Sequence, residues 1–186
     1  MKYSFRKSAF DKDKTYELTQ TSISITDHEG RTTDTPYSDI ETVNLQFVST
    51  KNNSFYQCEL KLKNGSKILL KSQHYKGIAN FEDRKEEYSL YISGLHKILN
   101  ASKLDIKYKK GISPVAYFLS MAIFILTGFL FPIIAIVMLI GGQLLFGLAG
   151  LFVGIMLILK MLKYAKKNKP GTYSPDDLPE SLLPDY

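Results

Sequence analysis

The sequence predicts an α+β protein: a small antiparallel β domain closed by one C-terminal helix, followed by a transmembrane α-hairpin. Three observations predict it. Apolar and polar residues alternate with period two through much of residues 3–72, as in strands with one buried face. One amphipathic helical pattern then runs from Phe81 to Ala101. Finally, Val115 to Leu159 holds forty-five residues without Asp, Glu, Lys, Arg or His, broken in polarity at Ser120, Thr127 and Gln143.

The strands come first. Tyr16 and Leu18 alternate with polar neighbours, and Ile23 and Ile25 repeat the pattern. Asp27-His28-Glu29-Gly30 supplies turn chemistry. Ile40 follows, then Val43, Leu45 and Phe47 in strict period two, and Lys51-Asn52-Asn53-Ser54 makes the next break. Tyr56, Cys58, Leu60 and Leu62 alternate against Gln57, Glu59, Lys61 and Lys63. Asn64-Gly65 marks a tight hairpin, and Ile68 and Leu70 continue on the return strand.

The soluble helix is expected to start after Asn80 as N-cap, with Glu82 and Asp83 in its first turn. Its stripe is Phe81, Tyr88, Tyr91, Ile92, Leu95, Ile98 and Leu99. Gly94 lies inside it, where it permits close packing on the sheet. Residues 1–102 thus form one domain, and 103–113 form a basic juxtamembrane linker.

A single helix over the uncharged stretch would be about 68 Å long, against a hydrocarbon core of about 30 Å. The chain must turn back, and Gly141-Gly142-Gln143 is the flexible, polar break near the middle. The first helix is expected over Pro114–Ile140, with Pro132 favouring a kink, and the second over Leu144–Tyr164. A turn at Gly128–Pro132 would leave too few residues before it to span. Gly147, Gly150 and Gly154 share a face of the second helix, for packing on the first helix or on a second copy. The uncharged stretch Val115–Leu159 holds no Asp, Glu, Lys, Arg or His, which argues against a proton relay or pump.

Lysines flank the hairpin: Lys103, Lys107, Lys109 and Lys110 before it, and Lys160, Lys163, Lys166, Lys167 and Lys169 after it. By the positive-inside rule, both ends are expected in the cytoplasm, with the turn on the far side of the inner membrane. The same lysines are candidate contacts for anionic lipid. The N-terminus shows no apolar h-region, so no cleaved secretory signal is expected. Residues 165–186 form a Pro-rich acidic tail with Pro170, Pro175, Pro179 and Pro184. Between the prolines stand Tyr173, Leu178, Leu182 and Leu183, either part of a solubilising tail or candidates for docking in extended form.

Several strands in a row followed by one amphipathic helix resembles the pleckstrin-homology-like barrel. More narrowly, the chain is similar to bacterial membrane proteins that join such a domain to a two-span hairpin. The resemblance covers about residues 14–101. It is carried by Pro36-Tyr37-Ser38-Asp39-Ile40, by Phe81-Glu82-Asp83-Arg84 and by Tyr88 through Leu99 with Leu95-His96. Eukaryotic relatives often bind phosphoinositides through a basic loop between the first strands. Here that loop, near Lys12 and Lys14, also holds Asp11 and Asp13. The resemblance implies a binding or assembly module.

Chemistry-bearing residues are few. His28, His74 and His96 stand at no ligand spacing from one another or from Cys58. His28 is expected in a turn, His74 in a loop and His96 at a helix surface or boundary. Cys58, the single cysteine, falls on an apolar strand face and reads as core. Gly-x-Ser-x-Gly and phosphate-binding glycine loops are missing. The matches to the glycosylation pattern at Asn52, Asn64 and Asn100 are read as chance, since the orientation keeps them cytoplasmic. The net charge of +6 is concentrated at the membrane flanks, which argues for anchoring and against nucleic-acid binding. The expectation is a non-enzymatic module without cofactor or metal. It sits in the lipid bilayer and recognises a membrane protein partner or itself; the alternative is an anionic-lipid sensor.

Overall fold

The computed structural model describes residues 1–49, 54–78 and 80–184. The break expected at residues 51–53 and the acidic Asp185 lie outside them. The chain divides into two compact units: 1–111 with 171–186, and 112–170.

In the first unit, β1 (Lys2–Phe5), β2 (Lys14–Leu18), β3 (Ser22–Thr26) and β4 (Thr32–Pro36) form an antiparallel meander. A 3₁₀ turn at Tyr37–Asp39 leads to a second sheet of β5 (Ile40–Ser49), β6 (Ser54–Leu62) and β7 (Lys67–Lys71). The expected hairpin turn falls at Asn64–Gly65. Gly65 adopts φ +85°, and its N–H reaches the Leu62 carbonyl at 2.9 Å.

Two short strands, β8 (Gln73–Gly77) and β9 (Asn80–Asp83), make a separate hairpin. The strands therefore stand in three sheets and do not close into one hydrogen-bonded barrel among the described residues. The 3₁₀ turn interrupts pairing between β4 and β5, and a bend at Ser72 divides β7 from β8.

The helix α1 is Lys85–Ala101, four residues shorter at its start than expected. Asn80 to Asp83 instead pair with β8; the Phe81 ring meets Tyr75 edge-on, and Glu82 pairs with Lys76 at 2.9 Å. These contacts take the segment's backbone and side chains before a helix can use them. The remaining stripe behaves as its spacing dictates. Tyr88, Tyr91, Ile92 and Leu95 are fully buried, with Leu99 beside them, against Tyr3, Phe5, Ile23, Leu45, Leu60 and Leu70 of the two main sheets. Gly94 is where α1 passes Met1 and Leu18; an added Cβ would lie 3.0 Å from the Met1 sulfur.

The segment expected to be a linker is partly a strand. β10 (Lys107–Lys110) runs parallel to β5, with Lys107 opposite Thr42 and Lys110 opposite Leu45. After the hairpin, β11 (Gly171–Thr172) adds antiparallel to β10, completing the order β11-β10-β5-β6-β7.

The second unit holds α2 (Pro114–Ile140) and α3 (Leu144–Asn168). Ser113 caps α2 by accepting the Ala116 N–H, and Pro114 occupies the first turn, where no donor is missed. Gly142, at φ +79°, sits in the expected turn, where its N–H and that of Gln143 close back on Leu139 and Met138. α3 continues four residues past its expected end at Tyr164. Both helices are long and apolar enough to cross a membrane. Only 11% of the most apolar window of each is buried, unlike the core helix of a soluble protein, and side chains such as Phe129 and Leu145 face outward.

Candidate functional site

The most constructed surface feature of the first unit is the seat of its C-terminal segment. β11 gives the segment a backbone ladder at Lys109–Thr172 and Lys110–Gly171, and the Tyr173 N–H reaches the Tyr108 carbonyl at 3.3 Å. The prolines that follow break a regular helix, and beyond Thr172 the chain is not extended throughout, as docking in extended form required: it turns at residues 175–177, where the Asp177 N–H reaches the Ser174 carbonyl at 3.0 Å. Asn100 on α1 donates to the Asp176 carboxylate. A 3₁₀ turn at Glu180–Leu182 then drives Leu182 into the core, where it is 2% exposed. Tyr173, Leu178 and Leu183 pack against the same core.

His96 is the polar centre of this seat. It is 1% exposed rather than at a surface, because its ring is covered by Tyr108 and Tyr173, with centroids 5.6–5.8 Å apart. Its Nδ1 lies 2.8 Å from the Ile92 carbonyl, which only accepts, so Nδ1 carries the proton. Nε2 is then an acceptor, and the Tyr173 hydroxyl donates to it at 2.7 Å. Burial lowers the His96 pKa from 6.5 to about 4, partly opposed by the Ile92 bond, so the imidazole is neutral. Burial also raises the Tyr173 hydroxyl above its ordinary range. A buried neutral histidine bonded to a protonated tyrosine is a structural clasp. Spacing alone placed His96 near the stripe; its partner seventy-seven positions away left no local signal.

The nine lysines divide between the units. Lys107, Lys109 and Lys110 belong to β10, and Lys103 precedes it with φ +50°. Lys107 and Lys109 are exposed on one face, where they help hold the Glu41 carboxyl low after its main partner, Lys61, at 2.7 Å. Lys160, Lys163, Lys166 and Lys167 line the last turns of α3, and Lys169 follows it. Gly147, Gly150 and Gly154 all face α2. Cβ atoms there would clash with Leu139, and would meet Ala135 at 2.9 Å and Pro132 at 3.2 Å. That face packs on α2 within the hairpin, the first of the two uses its spacing allowed.

A small cavity of about 180 Å³ opens between the β1–β2 loop and β7. Lys7, Lys12, Lys14 and Lys67 reach it, with Asp11 the one acid, over Tyr16 and Ile68. His74 is on β8 rather than in a loop; its Nδ1 accepts the Arg6 N–H at 3.0 Å, and burial and Arg84 lower its pKa. Cys58 is fully buried, and burial raises its thiol pKa. Among the described residues, no group of three or more His, Cys, Asp or Glu is placed to hold a metal ion. Comparison with protein-family models, with curated proteins and with solved structures gave no match.

Proposed function

We propose that this protein is a membrane-anchored, non-enzymatic recognition module whose β domain binds an extended apolar segment emerging from a membrane span. The ligand is its own segment 171–184, that of a second copy, or the like-built segment of a membrane protein partner. The single observation that carries this reading is the seat just described: a β-strand added at a sheet edge, a tyrosine held by a buried histidine, and a leucine anchored in the core. Strand addition supplies backbone bonds, and side-chain pockets supply selectivity.

Four strands, then three, with one helix after the short β8–β9 hairpin, is the order that supports a pleckstrin-homology-like ancestry for the β domain. Both flanks of the α2–α3 hairpin belong to one unit, which supports two crossings that return to the starting side. The lysines on each flank favour the cytoplasmic side of the inner membrane.

A direct test uses the register pair Lys109–Thr172. A chain carrying both Lys109→Cys and Thr172→Cys forms an internal disulfide under oxidation. When Lys109→Cys and Thr172→Cys chains with different tags share one membrane, a disulfide between chains reports binding in trans. No disulfide in either arrangement would remove the reading.

A second reading, an anionic-lipid sensor, is favoured by the lysine-lined cavity. Binding of short-chain anionic lipid, lost in Lys12→Ala/Lys14→Ala, would select it.

A further inference from the structure

We propose that His96 and Asn100 of α1 are the specificity-determining residues of the seat, and that they select a segment bearing a tyrosine with a carboxylate three residues further on and a leucine nine residues on, as in Tyr173, Asp176 and Leu182. This inference rests on the proposed binding of such a segment and names the occupant by its chemistry.

The backbone ladder at Gly171 and Thr172 accepts almost any sequence, so selectivity falls to side chains. His96 is the first reader. Its Nδ1–H is taken by the Ile92 carbonyl, one turn back on the same helix. The tautomer is therefore set by α1 itself, whichever segment fills the seat. Nε2 is left as a fixed acceptor in a residue that is 1% exposed. Only a side chain that donates can satisfy it, and the Tyr173 hydroxyl does so at 2.7 Å while its ring packs on His96 and Tyr108. Phenylalanine would keep the ring contacts and leave Nε2 unpaired away from water. A site built to bond a hydroxyl rejects the analogue lacking it for this reason. Serine or threonine would donate but leave the space of the ring empty.

Asn100 is the second reader. It stands one turn beyond His96, and residues four apart share a helix face. Its side-chain amide donates to the Asp176 carboxylate. The turn after Tyr173 delivers that carboxylate: the Asp177 N–H closes on the Ser174 carbonyl at 3.0 Å, and the Asp176 N–H reaches Ser174 Oγ at 3.4 Å. Asn100 and Asp176 are both exposed, so this contact discriminates less than His96 does. Leu182, 2% exposed, then fixes the far end of the segment in the core. One turn of α1 thus presents a buried acceptor and an exposed donor to a segment whose own turn matches their spacing.

The test is hydrogen–deuterium exchange on the full chain in detergent, reading residues 171–184, with α1 and β5 as controls for the fold. Tyr173→Phe is expected to speed exchange of the segment by about 10- to 100-fold. In a chain carrying His96→Leu, the tyrosyl hydroxyl becomes the group without a partner, so adding Tyr173→Phe should slow exchange instead. An equal effect of Tyr173→Phe in both backgrounds would mean that the ring alone is held, and overturns selection by His96. Asn100→Asp sets two carboxylates together and should speed exchange by about two- to fivefold, and Asp176→Asn added to it should restore the rate. Failure to restore overturns the assignment of Asn100. Should His96→Leu open α1 itself, this exposed pair decides. The seat is checked separately with Lys109→Cys/Thr172→Cys. A disulfide there, with exchange unchanged by Tyr173→Phe, overturns the selectivity alone. No disulfide, with the segment exchanging as fast as a free peptide, removes the seat and the selectivity with it.

Discussion

His96 follows Leu95 in the apolar stripe of α1, and the folded protein holds it in its neutral form. An unfolded imidazole titrates near 6.5, whereas burial holds His96 near 4. As pH falls, the unfolded state takes up its proton first. Stability is thus full above about pH 6.5 and is lost progressively toward pH 4, by about 3 kcal/mol for this group. His74, also lowered, adds in the same direction. Thermal unfolding in detergent at about pH 7 and about pH 5 checks this, and His96→Gln should flatten the difference. Tyr173→Phe keeps the ring contacts but leaves Nε2 without its donor. It should cost about 1–3 kcal/mol and speed hydrogen exchange at residues 171–173. The buried hydroxyls of Tyr88 and Tyr91 behave oppositely, since neither has a hydrogen-bond partner among the described residues. Tyr88→Phe removes a desolvated group at nearly constant shape, so it should leave stability unchanged or raise it by about 1 kcal/mol in a denaturant titration.

β10 depends on neighbours on both sides, β5 through a parallel ladder and β11 through an antiparallel one. A chain ending at Pro170 would leave β10 as an edge strand and uncover Tyr108, His96 and the pocket of Leu182. A lower melting temperature and faster aggregation in detergent are expected, and unchanged values would deny the segment a structural role. In the hairpin, glycine permits the close approach of α3 to α2. Gly147→Ile would force its side chain onto Leu139 and should destabilise the hairpin by about 1–3 kcal/mol, read as a lower midpoint in mixed-micelle unfolding.

For the whole chain, the decisive feature is that residues on both sides of the hairpin build one unit. If α2 and α3 both cross a membrane, a β domain completed by a segment that follows α3 has both flanks on one side. Cysteines placed at Thr33 and Ser181 should therefore react with an impermeant reagent from the same side, and one at Gly142 from the other. Reaction of residues 33 and 181 from opposite sides would exclude two crossings. If the lysine flanks orient the chain, the shared side is the cytoplasm.

Period-two alternation, the helical stripe and the uncharged stretch determined by themselves β2, β3, β5, β6 and β7, the body of α1, and two apolar helices turning at Gly141-Gly142-Gln143. Each is a local pattern, because one face of each β element or of α1 must leave water and an apolar helix displays its whole surface. The regular apolar residues of the tail left docking open beside a solubilising tail, without naming a surface. Only the tertiary structure decided that Lys107–Lys110 is a strand, that Asn80–Asp83 pairs rather than starts a helix, that the strands stand in three sheets, and that His96 clasps Tyr173. The physical reason is shared by these features. They rest on backbone ladders and on polar partners supplied by other segments, often far away in the chain. Backbone donors and acceptors are alike at almost every residue, so composition and periodicity do not announce where they pair.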